Sequence, residues 1–294
     1  MKAFTVALVL ALLGGASMQG RVIHSETSLY QNILVTEDGT LRCLQFTVRK
    51  DQHNQSCRDS RAPKRMVFAY TRMMLAALLL DPSPQRVLVI GLGGGTLPTA
   101  LAQLYPDAHI DVVEIDPAVA QVAKRYFDFA PGPNTRVFEQ DGRVWVKRAR
   151  VDTARYDLIM LDAFNGDYIP EHLMTREFLQ EARDLLSDTG TLAANTFSTS
   201  RLYDSESVTY AAVFGTFINF KMPDSANRVI IASRATLPDT QMLVAEAARL
   251  APALLPYGIS IERYPPLFNT IPDWQVDARV LTDQYSPANL LKGQ

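Results

Sequence analysis

The 294-residue sequence has only two cysteines and four histidines. It also lacks any run of about 20 apolar residues, the length that a membrane-spanning helix needs, so a multi-span membrane protein is excluded. Two cysteines exclude a disulfide framework and a cysteine-rich zinc site. The histidines, His24, His53, His109 and His172, lack the spacing of metal ligands and are predicted to lie on the surface or in loops.

An excess of charge of one sign is also lacking. The 29 basic and 31 acidic side chains give a net charge of −2, so the sequence predicts no nucleic-acid partner. The chain is 47% hydrophobic and 20% charged, which is the composition of a globular protein with a large core. At about 150 residues per domain, the length predicts two domains or one large domain with an appendage.

Residues 1–18 have the layout of a secretory signal, with one lysine, an apolar run from Phe4 to Leu13 and then small residues. Cleavage after Ala16 would give an exported or periplasmic protein. A translation start at Met18, or an unprocessed leader, would give a cytoplasmic one. The sequence leaves both locations open.

Cys43 and Cys57 flank a polar stretch, 49–55, that is predicted to form the tip of a hairpin. Cysteines on neighbouring strands can form a disulfide in an oxidising compartment. In the cytosol they would be two reduced, half-buried side chains. The sequence alone leaves this alternative open as well.

The segment from residue 30 to 67 is short and alternating, with a turn at Asp38-Gly39, and predicts a small antiparallel sheet. The apolar stretch 66–80 predicts a buried helix, and Asp81-Pro-Ser-Pro84 then breaks the chain. We therefore expect three parts: a signal-like leader at 1–18, an N-terminal β domain with a buried helix at 19–80, and a second domain with a C-terminal tail at 81–294.

Beyond residue 85, apolar strand patterns alternate with helical ones, which predicts an α/β fold with a doubly wound, mostly parallel sheet. The predicted strands are 87–90, 110–113, 136–138, 157–161, 192–196 and 229–233. The predicted helices are 96–104, 117–127, 143–149, 175–186 and 241–250.

The strongest chemical signal is the glycine-rich turn Gly91-Leu-Gly-Gly-Gly95, between a buried strand and a helix. Glycines let the backbone turn tightly beside a ligand, and the helix N-terminus offers free N–H donors. About 20 residues further on, the next strand ends at Glu114, which is placed to accept hydrogen bonds from ribose hydroxyls. This arrangement fits either a dinucleotide or an adenosyl-sulfonium compound.

Two later strand ends favour the adenosyl-sulfonium compound. Asp141-Gly142 follows the third strand, where a carboxylate can accept from an adenine amino group, and Asp162 ends the fourth. The carboxyl ends of parallel strands meet at one edge of the sheet, so these acids converge on one pocket. Asp116, which precedes Pro117, is predicted to cap a helix instead.

Several motifs resemble the spermidine synthase (polyamine aminopropyltransferase) family, most closely its spermidine synthase-like branch. They are Tyr30-Gln31-Asn-Ile-Leu-Val, the helix with Tyr70, IGLGGG, VVEIDP, Asp141-Gly142 and YDLIMLDA. The resemblance covers roughly residues 24–235. It implies an N-terminal β domain on a Rossmann-like, AdoMet-methyltransferase-like fold without a metal, usually as a homodimer. The family reaction moves an aminopropyl group from decarboxylated AdoMet to an amine such as putrescine.

The resemblance also implies site residues. Asp162 would be the catalytic base that takes a proton from the attacking amine, and Tyr70 would shape the amine channel. Gln31 would contact the nucleoside, Glu114 the ribose and Asp141 the adenine. The full set of implied donor-binding positions is Gln31, Gly91, Gly93, Gly95, Glu114, Asp141, Gly142 and Pro170.

The sequence departs from the family pattern where acids would hold amines. Gly94 replaces the acid of the glycine turn, Thr71-Arg72 follows the channel tyrosine, and Asn165 replaces the second acid of the loop after Asp162. Arg72 and Asn165 are predicted channel residues, although Arg72 would alternatively face solvent or pair with Glu26. A dicationic amine needs acidic partners. An AdoMet-dependent methyltransferase therefore stands as an alternative. An exported non-catalytic protein that kept the fold is a second one, because an exported enzyme would lack a cytosolic AdoMet-type donor.

Overall fold

A computed structural model describes residues 20–47, 53–164 and 169–287. The predicted leader and Asn165 lie outside these ranges. Within them, no helix combines the length and the apolar character needed to cross a bilayer.

The N-terminal part is a four-stranded antiparallel sheet in the order β1-β2-β3-β4. Alternation along β2 and β3 turns Ile33, Val35, Leu44 and Phe46 to one face, where they pack against residues such as Val119 of the main domain. The sheet thus forms a wall on the larger domain. Its strands are β1 (Arg21–Thr27), β2 (Asn32–Asp38), β3 (Leu41–Thr47) and β4 (His53–Asp59).

Cys43 and Cys57 lie opposite each other in the β3–β4 register and form a disulfide. Both are buried. The pairing that the sequence left open is therefore made in the structure. Next to this pair the register shifts, because Leu44 faces Ser56 whereas Gln45 faces Asn54. Gln55 is thus the extra residue of a β-bulge.

The main sheet has eight strands in the order β12-β10-β11-β9-β8-β5-β6-β7. Strands β9, β8, β5, β6 and β7 run parallel, and β11, β10 and β12 extend the sheet antiparallel. The strands are β5 (Arg86–Ile90), β6 (His109–Glu114), β7 (Thr135–Glu139), β8 (Tyr156–Leu161), β9 (Leu186–Phe197), β10 (Ile218–Lys221), β11 (Asn227–Ser233) and β12 (Phe268–Asn269).

Helices cover both faces of this sheet, which confirms the doubly wound, mostly parallel α/β fold. Successive residues of β5 face opposite sides: Val87 and Val89 belong to one hydrophobic core, and Leu88 and Ile90 to the other. The helices are α1 (Ala69–Met74), α2 (Thr96–Leu104), α3 (Pro117–Tyr126), α4 (Gly142–Val151), α5 (Arg176–Asp184), α6 (Tyr203–Phe214) and α7 (Thr240–Leu254).

Strands β1, β10 and β12 were not predicted, and three further elements differ from the prediction. The apolar stretch 66–80 is buried as predicted, but it is the short helix α1 followed by a 3₁₀ helix, Leu75–Leu79. Helix α5 ends before Leu186, where the twelve-residue strand β9 begins. Helix α6 was not predicted because it buries Glu206, Ser207 and Thr209, which hide the usual apolar periodicity.

Candidate active site

A cavity of about 220 Å³ lies at the carboxyl ends of β5, β6 and β8. This is where open α/β sheets bind ligands. One side of the cavity is closed by the N-terminal sheet, through Gln31, Phe46 and Ser56. Of the predicted site residues in the described ranges, those that line the cavity are Gln31, Tyr70, Gly91, Gly93, Glu114, Asp141, Gly142, Asp162 and Pro170.

The glycine turn carries the backbone from β5 into α2 at the floor of this cavity. Gly91 has φ +99°, and a Cβ there would lie 2.2 Å from the carbonyl oxygen of Asp162. Only glycine therefore allows β5 and β8 to end this close together. Gly95, with φ +79°, packs against Phe129 and does not line the cavity. The structure gives its predicted contact with the donor no support; the residue serves the turn itself.

Glu114 is the acid at the end of β6, and it is buried. One carboxylate oxygen accepts from the backbone N–H of Leu92 at 2.9 Å, and the other from that of Asp116 at 3.0 Å. Burial raises the pKa of Glu114 above its usual range. Each oxygen retains a second lone pair, so the carboxylate can still accept from two neighbouring hydroxyl groups.

Asp116 does not line the cavity but begins α3. Its side chain accepts from the N–H of Ala118 at 3.0 Å and from the hydroxyl of Ser28 at 2.6 Å. The capping role predicted from the sequence is confirmed. The bond to Ser28 also ties the β1–β2 turn, which carries Gln31, to the main domain.

Asp141 caps α4 by accepting from the N–H of Val144 at 2.9 Å, and its other oxygen lies 2.7 Å from Nε2 of His172. The hydrogen bond with His172 is the main reason that the pKa of Asp141 is lowered. His172 lies at the surface as predicted, with its side chain 43% exposed, and it also lines the cavity, which the sequence did not indicate. The only sequence signal was its place two residues after Pro170.

Asp162 follows β8 and keeps some exposure to the cavity, while the protein around it withdraws the carboxyl group from bulk water. This desolvation raises its pKa to about 7, although hydrogen bonds from Asn195 and Tyr70 oppose the rise. The side-chain amide of Asn195 donates to Oδ1 of Asp162 at 2.9 Å. Nothing in the sequence pattern pointed to Asn195, which lies 33 residues further along the chain.

The Tyr70 hydroxyl has two acceptors within reach. It donates to the carbonyl oxygen of Gln55 in the β-bulge at 3.2 Å, and it also lies within hydrogen-bonding reach of the Asp162 carboxylate. Burial is the main cause that raises the pKa of Tyr70 well above its usual value, and the negative charge of Asp162 adds to it. Tyr70 is therefore a hydrogen-bond donor throughout the neutral pH range.

Arg72 does not line the cavity. Its Nη1 donates to the carbonyl oxygens of Met66 at 2.6 Å and Val67 at 3.0 Å. The guanidinium therefore satisfies the backbone that leads into α1. Arg72 is partly exposed, and its predicted place in the channel stays a prediction.

The missing acid at Gly94 has a structural explanation. A Cβ on Gly94 would lie 2.5 Å from the hydroxyl oxygen of Ser56. Ser56 reaches this position from β4 and lies 3.3 Å from the hydroxyl of Thr96. The N-terminal sheet thus fills the space that a side chain at position 94 would need.

Within residues 20–47, 53–164 and 169–287, no three His, Cys, Asp or Glu side chains are grouped to hold a metal ion. The arrangement instead provides a glycine turn, a ribose-type acid and an adenine-type acid at one sheet edge. These features define a nucleoside-binding enzyme of the AdoMet-methyltransferase-like fold.

Comparisons with solved structures agree with this fold. A probable spermidine synthase from Corynebacterium glutamicum superposes with a TM-score of 0.66 at 19% identity, covering 87% of this chain and 98% of that chain. Human methyltransferase-like protein 13, solved in complex with SAH, superposes with a TM-score of 0.59 at 26% identity, covering 64% of this chain and 93% of that chain.

Sequence comparison then gives the family. Residues 67–231 match the spermine/spermidine synthase domain. A polyamine aminopropyltransferase of Vibrio vulnificus is 55% identical over 289 residues, 97% of each chain. The chain belongs to the spermine/spermidine synthase family and is a transferase of the polyamine aminopropyltransferase type. The methyltransferase and non-catalytic alternatives are not favoured.

Proposed function

We propose that this protein transfers the aminopropyl group of decarboxylated AdoMet to an amine such as putrescine and releases methylthioadenosine. The observation that carries the proposal is the Asp162 carboxyl group, whose pKa is raised to about 7 and which lines the nucleoside-type cavity. The 55% identity to a polyamine aminopropyltransferase supports the same reaction. The protein would work as a homodimer, which size-exclusion chromatography with light scattering tests directly.

The donor would be held by its nucleoside end. Glu114 would accept from the two ribose hydroxyls, and Asp141 would accept from the adenine amino group. The carboxylates suit these tasks because backbone N–H groups already fix their orientation. The remaining donor-binding positions would be Gln31, Gly91, Gly93, Gly142 and Pro170, which line the same cavity.

The reaction is a substitution at the carbon next to the sulfonium. The amine nitrogen forms a bond to this carbon, the carbon–sulfur bond breaks, and its electron pair remains on sulfur in the released thioether. An ammonium ion has no free electron pair, so it must first lose a proton, and the Asp162 carboxylate would bind and accept it. Tyr70, bonded to the same carboxylate, would orient it and line the amine channel.

Binding calorimetry tests the donor. Decarboxylated AdoMet should bind more tightly than AdoMet, and methylthioadenosine should bind as the shared nucleoside part. A preference for AdoMet would overturn the proposed donor and favour methyl transfer. No binding of any of the three would mean that the fold has lost its chemistry.

Asp162→Asn tests the base. The amide keeps the size of the carboxylate but cannot accept the proton at neutral pH, so kcat should fall by about 100-fold or more. Methylthioadenosine affinity should stay nearly unchanged because Glu114 and Asp141 are intact. Turnover at the unaltered rate would show that Asp162 is not the base.

A further inference from the structure

Two asparagines lie near the neighbouring ends of β9 and β11 and lead to Asp162. Asn195 lies on β9 and is 4% exposed, and Asn227 begins β11. In the antiparallel register, Asn195 faces Val229 and Phe197 faces Asn227. Asn195 and Asn227 are therefore diagonal neighbours on one face of the sheet, close enough for their side chains to meet.

The side chains form a chain of two hydrogen bonds. The amide nitrogen of Asn227 donates to the amide oxygen of Asn195 at 3.0 Å, and the amide nitrogen of Asn195 donates to Oδ1 of Asp162 at 2.9 Å. At its far end the backbone N–H of Asn227 donates to the hydroxyl of Ser225 at 3.1 Å. Both side-chain amide donors thus point toward Asp162.

Chemistry fixes this direction. An ionised carboxylate can only accept hydrogen bonds, so Asn195 must present its NH₂ group to Asp162. Its oxygen then faces Asn227, which must present its own NH₂ group in turn. A change at Asn227 can therefore reverse Asn195 without touching Asp162.

We infer that Asn195 and Asn227 form an amide relay that holds Oδ1 of Asp162 as an acceptor and leaves Oδ2 to take the proton of the attacking amine. This inference rests on the proposed function, in which Asp162 is the base. Asn195 and Asn227 are positioning residues: they act through Asp162 and would fix which oxygen faces the substrate.

The desolvation of Asp162 gives the relay control over the pKa of this carboxyl group. Asp162 is desolvated, and Asn195 provides the largest of the effects that keep its pKa from rising further. The base must be ionised to act, so kcat should rise with pH through the pKa of Asp162 and then level off. Loss of the Asn195 donor raises that pKa and moves the rise to higher pH.

The first test is Asn195→Ala. We expect kcat to fall by about 100-fold, because the carboxylate is no longer held in one orientation. The acidic limb of the pH profile should move upward by about one unit as a charge-stabilising hydrogen bond is lost. Methylthioadenosine affinity should change by less than about threefold, because the hydrogen bonds of Glu114 and Asp141 are untouched. An unmoved pH limb would overturn the relay.

The sharper test compares two changes at Asn227. In Asn227→Ala, Asn195 loses one partner but still donates to Asp162, so kcat should fall by less than about fivefold. In Asn227→Asp, the new carboxylate can only accept, so Asn195 turns its NH₂ group toward residue 227 and its oxygen toward Oδ1 of Asp162. Asn227→Asp changes the side chain less than Asn227→Ala does, yet it should be the more damaging. Its kcat should be about 10-fold or more below that of Asn227→Ala.

Ser198→Asp is the matched charge control. Ser198 lies just beyond β9, bonds to the carbonyl oxygen of Ala226 at 2.8 Å and has no bond to the relay. The Ser198→Asp variant adds the same charge to the same pair of strands, β9 and β11, and its pH profile should match that of the unaltered enzyme. If Asn227→Asp is as active as Asn227→Ala, the relay is wrong.

The proposed function and the relay fail differently. If the Asp162→Asn variant turns over at the full rate, Asp162 is not the base, and the relay is overturned with it. Loss of turnover in Asp162→Asn combined with normal pH profiles in the Asn195 and Asn227 variants would overturn the relay alone. Methylthioadenosine binding and thermal unfolding of each variant separate a misfolded protein from a mispositioned base.

Discussion

Asp162, which follows β8, and Glu206, on α6, are two acids that the fold withdraws from water, and their partners differ. Burial raises the pKa of both. Glu206 is 3% exposed and pairs at 2.8 Å with the fully buried guanidinium of Arg228, which also stacks 4.1 Å from the Tyr203 ring centre. Among the residues that the structure describes, the donors to Asp162 are the neutral side chains of Asn195 and Tyr70, and Asp162 opens onto the cavity.

The difference shows what a buried carboxyl group needs in order to do chemistry. A cation partner compensates the charge of Glu206 and satisfies its hydrogen bonds, so the group is part of the structure. Neutral donors orient Asp162 without neutralising it, so its charge remains available to an incoming ammonium ion. The raised pKa alone does not distinguish these roles; the partner does.

The largest effect should come from breaking the structural pair. Glu206→Gln leaves the Arg228 charge buried without a counter-ion, so the free energy of unfolding should fall by about 3–5 kcal/mol in urea titrations. Glu206→Leu combined with Arg228→Met removes both charges and should recover most of this loss. A loss below about 1 kcal/mol in Glu206→Gln would contradict the structural assignment.

Asp162→Asn should have the opposite effect on stability. The pKa of Asp162 rises from its ordinary 3.8 to about 7 in the folded protein. Between these values the folded state keeps a proton that the unfolded state has lost, so Asp162 makes stability decrease as pH rises from 4 to 7. The variant lacks this decrease.

Denaturant titrations at pH 5 and pH 8 measure this pH dependence of the free energy of unfolding. Relative to the unaltered protein, Asp162→Asn should gain about 2.5 kcal/mol of stability between these two pH values, at about 1.4 kcal/mol per pKa unit. An identical pH dependence of the two proteins would show that Asp162 is not desolvated as the structure indicates.

The catalytic side of the comparison is the pH dependence of kcat. With a pKa of about 7 for Asp162, kcat should rise with pH up to about 7 and fall about tenfold per pH unit well below it. Turnover measured from pH 5 to pH 9 checks this, with Glu206→Gln as the control because it should leave the midpoint unchanged. A midpoint near 4 would contradict a desolvated base.

The smallest effect concerns the donor side. His172→Gln removes the ring that lies 2.7 Å from Asp141, and methylthioadenosine should bind about 3–10-fold more weakly because Asp141 is less firmly oriented. The value of kcat at saturating donor should stay within about twofold, since Asp162 is untouched. A change in kcat without a change in affinity would place His172 with the base instead of the nucleoside.

Much of the donor half of the site could be predicted because its signals are local. Gly91 and Glu114 follow buried strands, and Asp116 precedes a helix-initiating proline, so chain order alone puts them at the sheet edge. Strand patterns likewise predicted the alternating α/β fold. Helix α6 was not predicted because its buried polar residues have partners elsewhere in the structure. The periodicity of a sequence gives no information about such partners.

What the sequence by itself determined was therefore the fold class and the acids at its strand ends, since these depend on neighbours a few residues apart. Only the tertiary structure decided their environment. It brought His172 to Asp141, Asn195 to Asp162, Arg228 to Glu206 and Ser56 to Gly94, all separated by 22 residues or more along the chain. Burial and hydrogen-bond partners set the pKa and orientation of each acid, and both arise only when distant segments pack together.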